Sequence, residues 1–223
     1  MGLFDTLLGK NEIEESPRDI EGLYDRTIKD QEDIATVMAS PKFKEAINEY
    51  QRPENVRRDH VFIFEEERRR VPDFYLPYYW LASYNMDMNN PDMAKSILKE
   101  GIERCRIKSV LCRKLAEIYF ETNRLEDALY WFFTAIMAGG RDTDFHSFLY
   151  LGYIFDEYGM KEASWWARRR ARGISYNYFY DAAEYSKRKM EHIRKKASDN
   201  RSDRAERMLK SFYRYAHKAI PNL

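Results

Sequence analysis

Apolar residues recur along this chain at three- and four-residue intervals, the spacing that gathers side chains onto one face of a helix. Ile20, Tyr24, Ile28 and Val37 form one such stripe, and Phe43, Ile47 and Tyr50 form the next. Each follows a serine-proline pair, Ser16-Pro17 and Ser40-Pro41. A capping hydroxyl followed by a residue with its φ already near the helical value favours a helix start. Towards the other end Tyr178, Ala182, Tyr185 and Ile193 make a stripe, residues 198–203 are polar, and Ala205, Leu209, Phe212, Ala216 and Ile220 make the last one. Between these flanks, Asn89-Asn90-Pro91-Asp92, Thr122-Asn123-Arg124 and Tyr158-Gly159-Met160 interrupt longer periodic runs with turn residues. The pattern predicts about ten or eleven helices and no strand.

The middle of the chain repeats itself. Tyr78, Leu81, Ala82, Asn85, Ala94, Leu98 and Gly101 return 34 positions later as Cys112, Leu115, Ala116, Tyr119, Ala128, Phe132 and Ala135. A third copy runs Phe148, Leu151, Gly152 and Phe155, then Ala163 and Ala167, with a shift of two residues and a turn one residue shorter. Small residues at fixed places let paired helices approach, and the large ones fill what remains. This arrangement over residues 72–172 resembles the tetratricopeptide repeat. It departs from that pattern at Asn85, where an aromatic is usual, at Cys112, where tryptophan is usual, and in lacking the closing proline. Pro72 stands at the closing position of an earlier unit, so a helix over 55–70 would be half of a degenerate repeat. The resemblance implies an all-α fold: a right-handed α-solenoid of antiparallel helix pairs, with residues 1–71 as an N-terminal helical cap and 173–223 as basic C-terminal helices. Terminal repeats need such caps to cover their apolar faces.

Composition agrees with this. Hydrophobic residues are 44% of the chain and aromatics 15%, enough for a core, and only 9 Gly and 7 Pro occur. Charge adds something new. From residue 165 onward there are 16 Lys and Arg against 6 Asp and Glu, a net +10, which leaves −9 for residues 1–164 of a total of +1. An acidic body with a basic end implies either an anionic partner for that end or mutual attraction of the two parts.

Cys105 and Cys112 are too few for a disulfide framework and read as reduced thiols of a cytoplasmic protein. No apolar run is long enough to span a membrane. The opening Met1-Gly2-Leu3-Phe4-Asp5-Thr6-Leu7-Leu8 is a poor secretory signal; it matches a myristoylation acceptor at Gly2 or a short amphipathic helix docked on the body.

The sequence carries no recognisable catalytic pattern. His60, His146, His192 and His217 fall into no metal or nucleophile motif, and Asp87-x-Asn89-x-Pro91-Asp92 lacks the ligands and glycine of a calcium loop. A non-enzyme without cofactor or metal is expected. The tetratricopeptide resemblance implies that the first helix of each pair lines a concave groove, through Tyr79, Ser83, Met86 and Asp87, then Arg113, Glu117, Phe120 and Glu121, then Leu149, Tyr153, Asp156 and Glu157. Five carboxylates and several aromatics would suit a basic or aromatic protein segment and repel a carboxylate tail. Either such a partner or the chain's own basic end would fill the groove. The alternative function is binding of nucleic acid or another polyanion by Arg168, Arg169, Arg170 and Arg172, beside Trp165 and Trp166, together with Lys187, Arg188 and Lys189.

Overall fold

The computed structural model of the chain describes residues 38–51, 58–139, 145–174 and 183–219. The expected helix around Ile20 to Val37, the Gly2 region and the stripe residues Tyr178, Ala182 and Ile220 lie outside the described residues. Among the described residues there are ten α-helices and no strand: α1 (Pro41–Tyr50), α2 (Arg58–Arg70), α3 (Tyr75–Asp87), α4 (Pro91–Arg104), α5 (Ser109–Glu121), α6 (Leu125–Gly139), α7 (Phe145–Glu157), α8 (Lys161–Ile174), α9 (Ala183–Asp199) and α10 (Asp203–Ala219). None of them is long and apolar enough to cross a membrane.

The start of α1 bears out its serine-proline signal. Ser40 caps it by accepting from the Phe43 N–H, with Pro41 in the first turn. The same serine ties α1 to α2, because its backbone N–H and its hydroxyl donate to the two carboxylate oxygens of Glu67, at 2.8 and 2.9 Å. Arg70 pairs with the same carboxylate.

Three turns share one hydrogen-bonded form. Asn89, Asn123 and Gly159 take φ of 55°, 61° and 70°, the left-handed region. At each, the N–H of that residue bonds the carbonyl three back, and the next N–H reaches the carbonyl five back: Asn90 to Asn85, Arg124 to Tyr119 and Met160 to Phe155. This pair of hydrogen bonds closes α3, α5 and α7 in the Schellman manner. Asparagine and glycine are the residues that tolerate it best.

Helices pack largely in chain order, each of α1 to α7 against the one that follows it, with α3 also against α5. The small repeat residues Ala82, Ala94, Ala116, Ala128 and Ala163 are wholly or almost wholly buried, as are Leu98, Phe132 and Phe155. Gly101 marks the closest approach. A Cβ there would lie 2.8 Å from both Tyr78 Cγ and Leu111 Cδ1, so α4 meets α3 and α5 with no room for a methyl. The departures from the repeat pattern have local explanations. Asn85 donates its side-chain amide to the Leu81 carbonyl, and Cys112 fills its place as a small buried apolar group. The other cysteine, Cys105, is also buried, neither forms a disulfide, and burial pushes the Cys105 thiol up to about 12.

After α8 the order changes. α9 lies along α7, and α10 returns against α6. Phe212 of α10 stacks on Phe133 of α6, ring centres 4.0 Å apart, and Tyr213 meets Phe155 and Trp166 edge-on. One sequence boundary is corrected: the polar break over 198–203 narrows to 200–202, because α9 runs to Asp199. The helix expected over 55–70 is described from Arg58 onward, residues 55–57 lying outside the described residues. Both paired tryptophans lie on α8, Trp166 buried and Trp165 61% exposed.

Candidate functional site: the face of α3, α5 and α7

The twelve residues expected to line a groove fall on α3, α5 and α7, and they divide into two regions. In the first, Tyr79 is half-buried beneath two cations, with Arg113 and Lys114 at 5.6 and 5.1 Å from its ring centre. Arg113 pairs with Glu117 one turn on, at 2.8 Å. Burial raises the Glu117 carboxyl, but Arg113 and Lys114 outweigh it and hold the group below the usual carboxylate range. Ser83 is buried, its hydroxyl donating to the Tyr79 carbonyl, so it presents nothing to a ligand. Met86 and Leu149 are half-buried. Asp87 is exposed and accepts a short hydrogen bond from the Tyr50 hydroxyl of α1; burial and then this carboxylate push that phenol well above its usual value.

The second region is covered by α9. His192 lies 2.9 Å from Glu121 and edge-on to Phe120. Arg194 reaches Asp156 at 2.6 Å and Glu157 at 3.6 Å, and its guanidinium stands 5.5 Å from the Tyr153 ring centre. Lys189 lies over Tyr150. Lys196 donates to the backbone carbonyl of Glu121 at 2.6 Å and to the Asn123 side chain at 3.0 Å. A cation is thereby placed on the carboxyl end of α5, where the helix dipole favours it. Past α9, Arg201 is turned in the same way to the Glu157 carbonyl at the end of α7 and lies over Tyr158. Ser202 then closes the junction. Its N–H donates to the Tyr158 hydroxyl, its hydroxyl donates to Glu126, and its oxygen caps the first turn of α10 by accepting from the Ala205 N–H. Arg204 adds an ion pair to Glu126 at 3.4 Å.

Two expectations are corrected by this geometry. Phe120 and Tyr153 are 2% and 3% exposed, packed inside rather than presented to a ligand; His192 and Arg194 cover them. Four of the five carboxylates do not form an uncompensated acidic surface either, since Glu117 pairs with Arg113, and Glu121, Asp156 and Glu157 pair with α9; Asp87 is bonded to the neutral Tyr50 hydroxyl. Tyr50, Asn123, Tyr150 and His192 were not foreseen as site residues; Arg194 and Lys196 belong to the basic end that the change of charge at residue 165 marks.

The polyanion candidates scatter. Arg168 bonds the Ser164 hydroxyl and lies 3.7 Å from Asp156, Arg170 is buried over Phe148, and Lys189 is half-buried. Arg169, Arg172, Lys187 and Arg188 are exposed, with Arg169 5.1 Å from the ring centre of the exposed Trp165. Among the described residues no three His, Cys, Asp or Glu side chains gather as a metal site would require. His60 is buried between Tyr50 and Phe64, far in the chain from His192 on Glu121, and each histidine has a local partner of its own.

No protein-family model, curated protein or solved structure matches this chain.

Proposed function

We propose that this protein is a non-catalytic adaptor or specialised chaperone, built as a tetratricopeptide-like solenoid, that holds a basic or aromatic segment of another protein against α3, α5 and α7. One observation carries the reading: the acidic, aromatic face of α5 and α7 already holds a basic helix, with Arg194 on Asp156 and Glu157 and Lys196 at the end of α5. A surface that receives one such helix has the shape and charge to receive another. The 34-residue recurrence and the three matching turns support the repeat architecture.

The strength of the α9 contact fits exchange. Its ion pairs join groups between 18% and 43% exposed, and pairs of that kind contribute about 0–1 kcal/mol each. Among the described side chains of α9, Ile193 and Ala197 are the buried ones, and burying an isoleucine stabilises by about 1.5–3 kcal/mol. A closed contact of about 3 kcal/mol weakens a competitor's apparent affinity about 150-fold, so a competitor at micromolar concentration displaces α9 when its own Kd for the open face is about 10 nM.

Titrating labelled helical peptides into the full chain, basic amphipathic ones against acidic ones, tests the reading. Saturable binding of the basic set is expected, weakened at least tenfold by the Glu117→Lys/Asp156→Lys pair. If no basic or aromatic peptide binds either the unaltered chain or an Arg194→Glu chain, the adaptor reading fails. A second reading draws on Trp165 and Arg169, which stand exposed together beside Arg172: a polyanion held by the outer side of α8. Filter binding of RNA and DNA at several salt concentrations checks it, since phosphate contacts weaken steeply with salt.

A further inference from the structure

The two C-terminal helices are held by different balances of force. α10 is anchored by apolar contact: Ala205, Met208, Leu209, Phe212 and Ala216 are buried, and Phe212 stacks on Phe133. α9 is held by charge as well as by apolar contact, through His192, Arg194 and Lys196 against Glu121, Asp156 and Glu157, around a smaller apolar seat of Ile193 and Ala197 with Met190 beside it. Screening weakens the charged contacts and leaves the apolar ones almost untouched. α10 with Ser202 and Arg204 on Glu126 therefore provides a fixed anchor, from which α9 can leave its seat without the chain losing its closing helix.

We infer that α9 is an exchangeable internal ligand, and that the partner of this face is a basic amphipathic helix which displaces it. This rests on the adaptor reading and adds to it a recognition pattern and a mode of control. The pattern is the one α9 itself presents. Two small or medium apolar residues lie four apart, as Ile193 and Ala197 do. Around the first, cations lie four before and one and three after, as Lys189, Arg194 and Lys196 do. The residue three beyond the second apolar position is an amide, as Asn200 is, donating to the Asn123 side-chain oxygen. A partner helix with that pattern meets Tyr150, Tyr153, Asp156, Glu157 and Glu121 in the places α9 vacates. Occupation by α9 and by the partner is mutually exclusive, so the resting chain is closed to weak basic ligands and open to a better match.

A fluorescein-labelled peptide of residues 183–201 serves as the probe, measured by anisotropy against three full-length chains. Binding to the Arg194→Glu chain, whose own α9 is repelled by Asp156 and Glu157, is expected at least tenfold tighter than to the unaltered chain. Adding Asp156→Lys to that background is expected to remove the gain. Equal affinity for the unaltered and Arg194→Glu chains overturns the exchange; if Asp156→Lys still weakens that equal binding, the adaptor reading stands without it. Absence of peptide binding to the Arg194→Glu chain also overturns the exchange, and foreign basic peptides then decide the adaptor reading. Hydrogen exchange on a 15N-labelled unaltered chain, in which the unlabelled peptide is silent, guards against misfolding of a variant. Excess peptide is expected to speed exchange in α9 severalfold and leave α5, α7 and α10 protected, whereas unchanged α9 protection at saturating peptide overturns the proposal.

Discussion

Gly101 and Gly159 show how single residues set the limits of this fold, for opposite reasons. At Gly101 the backbone is ordinary helix and the constraint is space, because the missing Cβ is replaced by Tyr78 and Leu111. Gly101→Ala gains about 1 kcal/mol of helix propensity but forces an overpacked contact costing about 1–3 kcal/mol. A net loss of stability is expected, read as a lower urea midpoint with unchanged slope; a rise in the midpoint would show that α3 and α5 can part. At Gly159 space is open and the constraint is φ of 70°. Gly159→Ala is expected to destabilise by about 1 kcal/mol, and Asn89→Gly to cost nothing or to stabilise slightly. These positions were legible in the sequence, since turn residues and small residues recur at the repeat interval. What was not legible is which large residues are covered. Phe120 and Tyr153 have the helical phase of exposed groove positions and are buried with the help of a helix some forty to seventy residues further on, beside Tyr150 against Phe120 and Arg168 over Tyr153.

Among elements, α1 depends on one carboxylate. Glu67 is almost fully buried and serves three donors, the Ser40 N–H, the Ser40 hydroxyl and Arg70. Burial raises its carboxyl, yet those donors prevail and hold it below its ordinary value. A depressed folded value means the group favours folding above its unfolded pKa, and that contribution is lost as pH falls through the depressed value. Glu67→Gln is expected to lower stability by about 1–3 kcal/mol near neutrality, since it leaves donors to a charged acceptor unmatched. The gap between variant and parent should close in acid, measured by denaturant titration at several pH values; a gap that stays constant to low pH would show that charge is not what fastens α1. The serine-proline start of α1 was readable, but its docking on Glu67 joins positions 27 apart and has no periodic mark. Pro72, which the pattern placed after a helix, follows α2, and its carbonyl accepts from the Tyr78 hydroxyl.

For the whole molecule, the +10 and −9 halves are the feature that local patterns cannot explain. The structure brings part of that charge together, with His192, Arg194 and Lys196 on Glu121, Asp156 and Glu157, and Arg204 on Glu126. The sequence left open whether the basic end meets an external anion or the chain's own body, because net charge states the sign of an interaction and not its address. Closure by charge has a consequence for the molecule as a unit. The screening length falls from about 10 Å at 0.1 M salt to about 3 Å at 1 M. The α9 contact should therefore weaken before any of the apolar helix packing does. Trypsin reports this directly, since Lys187 and Arg188 on α9 are exposed but protected so long as the helix is docked and ordered. Cleavage there is expected to quicken several-fold at 1 M salt relative to cleavage of a trypsin standard, while sites in α5 to α8 keep their rate. Charge exchange gives the stricter form of the same expectation. Asp156→Arg and Arg194→Asp should each speed cutting at Lys187 and Arg188, and the two together should slow it again, because the pair is restored with its signs reversed. If the double variant is cut as fast as the sum of the singles implies, α9 is held by its apolar seat at Ile193 and Ala197, and the charge division of the chain must act on something outside it.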